Sequence, residues 1–303
     1  MSGWTLLRAG AAGAAARLAY AALTSRQPGG EKSWTRTNHR GEPVTLLEGP
    51  AVSVAAAASA LAVPGLAASE RLAMAVAGLG AGAVGCYDDL AGGGDRRGFR
   101  GHLGALASGE VTTGAVKIIG VGAAGLAAAV LLDRRRSGMR ATGRLADLAI
   151  NAALVAGAAN LVNLFDLRPG RAIKVSLLAG TALSAAGPRA RAGAAAPVGA
   201  AIALLGEDLG ERAMLGDCGA NAVGAMLGVT AAASLPRSVR LAALAGVVGL
   251  TAASEKVSFT KVIARTPALN WLDMLGRRPV PAPAAHAGEP PEGGLPDRVS
   301  NPK

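Results

Sequence analysis

The chain is poor in charged, aromatic and cysteine residues. Of its 303 residues, 17% are charged and 3% are Phe, Trp or Tyr. The net charge of +11 invites a nucleic-acid interpretation, which requires stacking aromatic residues or a recognisable binding module. Neither is evident, so we predict no nucleic-acid partner. Cys86 and Cys218, the two cysteines, form no disulfide framework or zinc spacing and are interpreted as small buried residues.

Apolar residues are abundant and come in long blocks rich in Ala, Val, Leu and Gly. The hydrophobic fraction is 51%, there are 43 glycines and the mean hydropathy is +0.36. Such blocks predict an all-α polytopic transmembrane helix bundle of about nine spans, within a range of eight to ten. Small side chains let such helices pack closely in lipid. The predicted spans are 4–23, 46–66, 72–87, 115–132, 145–165, 173–186, 194–205, 220–234 and 239–253.

Alternation of these spans places the loops 24–45, 88–114, 166–174 and 206–218, and everything after 254, on one side. This side carries more Lys and Arg than the other and is predicted to be cytoplasmic. The run Asp133-Arg134-Arg135-Arg136 falls on the opposite side, against this tendency. We expect one membrane domain over 1–278 with cytoplasmic catalytic loops, and a disordered cytoplasmic tail over 279–303. The segment 255–275 is either an amphipathic helix on the membrane surface or part of the core.

Two sets of acidic and amide residues end predicted spans on this side. Asp88 and Asp89 follow the third span, where adjacent carboxylates suit Mg²⁺ binding or proton abstraction; an ordinary solvated loop is the alternative. Asn160, Asn163 and Asp166 close the fifth span at a spacing of three. On a helix this spacing keeps them on one face, where they can converge on a cation. Hydrogen bonding between helices is the alternative for the two asparagines.

Two further sets lie in loops of the same side. In Gly216-Asp217-Cys218-Gly219, Asp217 is either a ligand-binding residue or the cap of the next helix. The basic residues Arg97, Arg100 and His102 follow three glycines and suit a diphosphate, or form a solvated loop. Arg168 follows Asp166 and suits phosphate as well.

In this order, the residues resemble the polyprenyl-phosphate N-acetylhexosamine-1-phosphate transferase family (glycosyltransferase family 4), which includes phospho-N-acetylmuramoyl-pentapeptide transferase. The resemblance runs from about residue 38 to 228, and four motifs in order make it fairly specific. The motifs are Thr37-Asn38-His39-Arg40-Gly41-Glu42-Pro43-Val44, Asp88-Asp89, Asn160-x-x-Asn163-x-x-Asp166 and Gly216-Asp217-x-Gly219.

This resemblance implies a multi-pass enzyme of the bacterial cytoplasmic (inner) membrane that works in cell-envelope glycan or peptidoglycan-type synthesis. Polyprenyl phosphate attacks the β-phosphate of a UDP-sugar and UMP is released. Carried over by position, Asp88 or Asp89 deprotonates or orients the lipid phosphate, and Asp166 with Asn163 or Asp217 holds Mg²⁺. The lipid tail lies in a groove between spans, and a homodimer is compatible with the sequence. The implied substrate-binding residues are Asn160, Arg97, Arg100, His102, Arg168 and Arg40.

The sequence also departs from the family pattern. The usual Pro-x-x-Gly-Gly stretch is absent after Pro43, Arg97 stands where Lys is common, and the His-rich cluster of the last loop is missing, since His286 stands alone. A muropeptide donor is therefore not favoured over other UDP-sugars. A catalytically degenerate homologue that acts as a membrane scaffold or regulator of envelope synthesis is the alternative. A transporter fits less well, because transporter sites lie at the bilayer midplane whereas these polar sets gather at one surface.

Overall fold

The computed structural model describes residues 3–91, 112–133 and 141–279 and is built almost entirely of helices. A short antiparallel hairpin pairs β1 (Thr35–Thr37) with β2 (Pro43–Thr45). The described helices are α1 (Gly3–Arg26), α2 (Glu31–Trp34), α3 (Glu48–Leu61), α4 (Ala68–Ala91), α5 (Thr113–Asp133), α6 (Ala141–Phe165), α7 (Arg171–Ser184), α8 (Pro188–Leu209), α9 (Gly216–Ser234), α10 (Arg237–Ser254), α11 (Phe259–Arg265) and α12 (Pro267–Met274).

Each predicted span coincides with one helix, namely α1 and α3 to α10. This confirms the all-α class, whereas the count of nine spans is not confirmed. Among the described residues, α5, α6 and α8 are long and apolar enough to cross a membrane, and α10 with α11, bent by 96°, could form a fourth span. The shortest helices explain part of this difference. Helices α3 and α7 have 14 residues each, or about 21 Å against a hydrocarbon core of about 30 Å.

Small residues fill the centre of the bundle, and larger apolar residues lie outside. Almost every residue of α9 is buried, and this helix packs against α3, α4, α6 and α8. A Cβ atom on Gly228 would lie 2.7 Å from the Val155 Cα, so glycine permits the close approach of α9 and α6. By contrast, Leu18 is 73% exposed and Val248 is 58% exposed. Large exposed apolar side chains around a core of small ones suit a lipid environment.

The predicted loops of one side meet at one end of the bundle. The Asn38 side chain donates to Glu211 Oε2 (2.7 Å), which connects the hairpin loop to the segment before α9. Asp89, at the end of α4, accepts hydrogen bonds from the start of α9. The structure thus gathers the residues that the alternation of spans placed together.

The segment after α10 forms two helices rather than the single predicted one. No residue of α11 is buried and Asp273 is the buried residue of α12, so the core-packing alternative is wrong. Asp273 is bound through both oxygens by Arg171 (2.7 and 3.0 Å), while Lys174 Nζ donates to its carbonyl (2.7 Å). These contacts hold α12 against the start of α7. The proposed tail, apart from residue 279, lies outside the described residues.

Candidate functional site

The first turn of α9 is the point at which the predicted acidic residues meet. Asp89 Oδ1 accepts from the Asp217 N–H (3.0 Å) and Asp89 Oδ2 from the Cys218 N–H (2.9 Å). A helix N-terminus carries partial positive charge and unpaired N–H groups, so it stabilises a carboxylate there. The alternative in which Asp217 caps its own helix is therefore wrong, because Asp89 of α4 fills that role. Gly216 has φ +59°, and a Cβ atom there would lie 2.9 Å from Asp89 Oδ2.

Lys117 joins two of these carboxylates. Its Nζ atom lies 3.2 Å from Asp88 Oδ2 and also forms an ion pair with Asp217 Oδ2. Lys117 is the fifth residue of α5, inside a predicted span, and was not among the predicted site residues. The signal was present, since an ionisable residue just inside an apolar segment is a functional candidate.

Asp166 completes the acidic group from the end of α6. Its side chain is buried, at 8% exposure, and the backbone N–H of Gly216 acts on its carboxylate electrostatically. The second oxygen, Oδ2, is buried and has no hydrogen-bond partner among the described residues. Burial raises the pKa of the Asp166 carboxyl well above its ordinary value, and the nearby charges of Asp208 and Asp217 act in the same direction.

Two buried carboxylates that we had not predicted as site residues lie near Asp166. Glu48 is 0% exposed, and neither of its carboxylate oxygens has a hydrogen-bond partner among the described residues. Asp208 Oδ1 accepts from the Gly170 N–H (2.8 Å), whereas its Oδ2 is likewise without a described partner. The charge of Asp208 acts on both Asp166 and Glu48, and the charge of Asp166 acts on Glu48 as well. The sequence signal was again an ionisable residue within or directly beside an apolar segment.

A large apolar groove begins at Lys117 and has a volume of about 890 Å³. It lies between α5, α6 and α10, with Asn221 of α9 in its wall. Asn160 also lines this groove, where its side chain donates to Thr251 Oγ1 (3.4 Å). Its apolar lining includes Ile118, Val121, Ala153, Leu244, Val247 and Val248. Glu255 and Lys256 add charged groups to the lining, and the aliphatic part of the groove suits a hydrocarbon chain.

A smaller, polar pocket of about 320 Å³ lies beside Asp166. His39, Arg168, Asp208 and Glu211 line it together with backbone and apolar atoms. Partial burial lowers the pKa of His39, an effect that the negative charge of Glu211 opposes. The pocket therefore presents Arg168 as a cationic side chain next to the acidic group.

The remaining predicted residues occupy varied positions. Asn163 lies in the last turn of α6, where its carbonyl accepts from the Asp166 N–H (3.0 Å). The Asn160 side chain donates to Thr251 of α10. This contact supports the alternative in which Asn160 forms a hydrogen bond between helices. Arg40 Nε binds Glu211 Oε1 at 2.8 Å, and Arg40 Nη2 donates to the Arg278 carbonyl (3.0 Å), so this arginine ties the hairpin to the C-terminal segment. Arg97, Arg100 and His102 lie outside the described residues.

The donor set fits Mg²⁺ in one restricted way. In the part of the chain that the structure describes, no three His, Cys, Asp or Glu side chains are grouped so that they could hold a metal ion. Mg²⁺, however, is often bound by one or two carboxylates together with waters and substrate phosphates. The charges of Asp166 and Asp217 act on each other, and Asp166 Oδ2 is a buried oxygen without a described partner. The pair therefore suits an ion that arrives with a diphosphate.

Comparisons with protein-family models and with curated proteins found no match to this chain. The resemblance to the phosphoglycosyl transferase family thus rests on the four sequence motifs.

Proposed function

We propose that this protein transfers a sugar-1-phosphate from a UDP-sugar to a polyprenyl phosphate at the cytoplasmic face of a bacterial inner membrane, releasing UMP. The observation that supports this best is the position of the acidic group between two different cavities. Lys117 lines the apolar groove and binds Asp217, whereas Asp166 lines the polar pocket. A site that joins a lipid acceptor to a polar donor needs these two compartments with charged groups between them.

The groove supports the lipid part of the proposal. Polyprenyl chains are long and apolar, and the walls provided by α5, α6 and α10 are mostly aliphatic. In this arrangement the lipid phosphate lies at the Lys117 end, where an ammonium group can pair with it. All nine helices α1 and α3 to α10 would cross the membrane, with α9 enclosed by the others, and the exposed apolar side chains on the outer helices support this.

The polar pocket supports the donor part. Arg168 supplies a guanidinium for the diphosphate, and His39 and Asn38 line the opposite wall from the hairpin. Asp166 and Asp217 would hold Mg²⁺ on the diphosphate. When bound there, Mg²⁺ offsets the charge repulsion between the two anions and stabilises the leaving UMP.

The contacts also support separate roles for the adjacent aspartates. Both oxygens of Asp89 accept backbone N–H groups of α9, so Asp89 is a positioning residue that fixes Asp217. Asp88 faces Lys117 at the end of the groove and is the group suited to take a proton from the lipid phosphate. A phosphate oxygen of the lipid then bonds to the β-phosphorus of the donor. The bond from that phosphorus to the bridging oxygen breaks, and UMP leaves with the electron pair.

The test is UMP release by the purified full-length protein, supplied with a polyprenyl phosphate, Mg²⁺ and a panel of UDP-sugars. We expect release with at least one UDP-sugar and its loss in Asp88→Asn, Asp166→Asn and Asp217→Asn. Asp133→Asn is the control, because Asp133 pairs with Arg144 at the opposite end of α5. No release with any donor would reject the enzyme. A cellular requirement for the protein that survives Asp166→Asn would then favour the scaffold alternative.

A further inference from the structure

Asn221 is an isolated polar side chain in the wall of the apolar groove. It is 0% exposed, and neither its Oδ1 nor its Nδ2 atom has a hydrogen-bond partner among the described residues. A buried amide without partners is destabilising, since it loses its contacts with water and gains none from protein. The proposed function does not yet use this residue. Its presence calls for a partner that the described residues do not supply.

The position of Asn221 places it close to the charged end of the groove. It follows Asp217 by four residues on α9, so the two side chains lie on the same face, one turn and about 6 Å apart. Lys117, which binds Asp217, lines the same groove. Beyond this point the lining is mainly aliphatic. Asn221 therefore marks the boundary between the polar and the apolar part of the groove.

The other polar groups of the groove wall, among them Glu255 and Lys256 at the end of α10, do not satisfy Asn221. Asn160 donates to Thr251 Oγ1 (3.4 Å), and Lys117 is paired with Asp88 and Asp217. An asparagine that joins membrane helices does so through a hydrogen bond across the interface. Asn151 is an example in this bundle, since its Oδ1 accepts from Arg240. Asn221 lacks such a bond within the described residues.

We infer that Asn221 binds the phosphate group of the polyprenyl phosphate acceptor, with its Nδ2–H groups donating to phosphate oxygens. This rests on the proposed function and adds a specific acceptor-binding residue to it. A neutral amide suits this place because the amide donates to an anion without adding a charge beside Asp217. Lys117 supplies the positive charge, and the amide distinguishes a phosphorylated lipid from a plain hydrocarbon or alcohol.

The inference makes opposite predictions for stability and for binding. Replacing an unsatisfied buried amide with an apolar side chain of similar size removes a destabilising group, so Asn221→Leu should not lower the Tm. The same change removes the phosphate contact. Asn151→Leu is the matched control, because it removes an amide that accepts a hydrogen bond from Arg240. That variant should lower the Tm and leave lipid binding unchanged.

The experiment measures binding of farnesyl phosphate and farnesol to the purified full-length protein, for wild type, Asn221→Leu, Asn221→Ala and Asn151→Leu. We expect the Kd of farnesyl phosphate to rise about tenfold in both Asn221 variants, which corresponds to ~1.4 kcal/mol. Farnesol binding should stay within about twofold of wild type, a difference of less than ~0.5 kcal/mol. Asn221→Ala shows that the effect does not come from the bulk of leucine. Phosphatidylglycerol is included as a competitor to distinguish the acceptor from a membrane phospholipid headgroup.

Several outcomes overturn the inference. Unchanged farnesyl phosphate binding in both Asn221 variants would do so while UMP release by the wild type still stood. An equal loss of farnesyl phosphate and farnesol would point to the shape of the groove instead. Competition by phosphatidylglycerol as strong as that by farnesyl phosphate would reassign the site to a phospholipid headgroup. If the wild type neither bound farnesyl phosphate nor released UMP, the proposed function itself would fail.

Discussion

The replacement of Asp166 by asparagine should have opposite effects on stability and activity. Asp166 is buried, and its Oδ2 has no hydrogen-bond partner in the described structure. An asparagine carries no charge at this place, and its amide N–H groups can donate to a nearby acceptor such as Asp208 or Asp217, whose charges act on Asp166. We expect a gain of about 1 kcal/mol from satisfying one buried group.

The corresponding shift in thermal stability is a rise of about 2–4 °C in Tm. UMP release should fall by roughly 10²–10³, because Asp166 would no longer provide a charged ligand for the Mg²⁺ that stabilises the transferring phosphoryl group. Asp147→Asn is the matched control on the same helix. Asp147 is buried and paired with Arg240 (3.2 Å), so weakening this pair should cost about 3–5 kcal/mol and leave the catalytic residues untouched.

The pH dependence provides a sharper test of the same reasoning. The pKa of Asp166 is raised in the folded state, so folding takes up a proton at this carboxyl. Its contribution to stability is therefore most favourable near the unfolded pKa of about 4 and falls as the pH rises. The Tm advantage of Asp166→Asn should shrink when the pH is lowered from neutral towards 5. A variant with lower Tm than wild type at neutral pH, or with full activity, would refute this account.

The remaining predictions concern the ion pairs and the packing of the bundle. Lys117→Met should reduce UMP release by about 100-fold and Lys117→Arg by less, because arginine keeps the charge that Asp217 faces; turnover assays would measure both. Asp273→Asn should speed hydrogen exchange in α12, since it loses charge-assisted bonds of about 1.5–3 kcal/mol each. Gly228→Leu should lower the free energy of unfolding by several kcal/mol, on the order of the larger overpacking penalties. Gly246 faces open space, so Gly246→Leu should change the free energy of unfolding by less than about 0.5 kcal/mol.

The helices could be predicted from the sequence because each apolar block is bounded by charged or glycine-rich segments. The limits of most helices fall within a few residues of the predicted spans. What the sequence pattern did not determine is how many helices cross a membrane. Helix α9 illustrates the difficulty, since its apolar residues are buried by other helices rather than exposed to lipid. Hydrophobicity alone does not separate these two environments.

The acidic residues of the site could also be predicted, but their contacts could not. Spacing of three placed Asn160 on the same helix face as Asp166, yet Thr251 of α10 lies close enough to bind the Asn160 amide. Likewise, the bond between Arg171 and Asp273 joins residues that are 102 positions apart. Such pairings depend on how helices pack, which no local pattern in the chain specifies. Lys117, Glu48 and Asp208 are the site residues that the rule for ionisable groups in apolar segments should have identified.

The contacts at the start of α9 explain how several carboxylates can lie together at the edge of an apolar bundle. Two N–H groups of the helix neutralise part of the charge on Asp89, and Lys117 does the same for Asp88 and Asp217. Asp166 has no such ion pair among the described contacts and keeps one oxygen without a described partner. The negative charge that is left uncompensated is thus concentrated beside the polar pocket, where Mg²⁺ together with the donor diphosphate would balance it. Because a lone diphosphate would be repelled at this place, we expect donor binding to depend on the divalent cation even before any chemistry occurs.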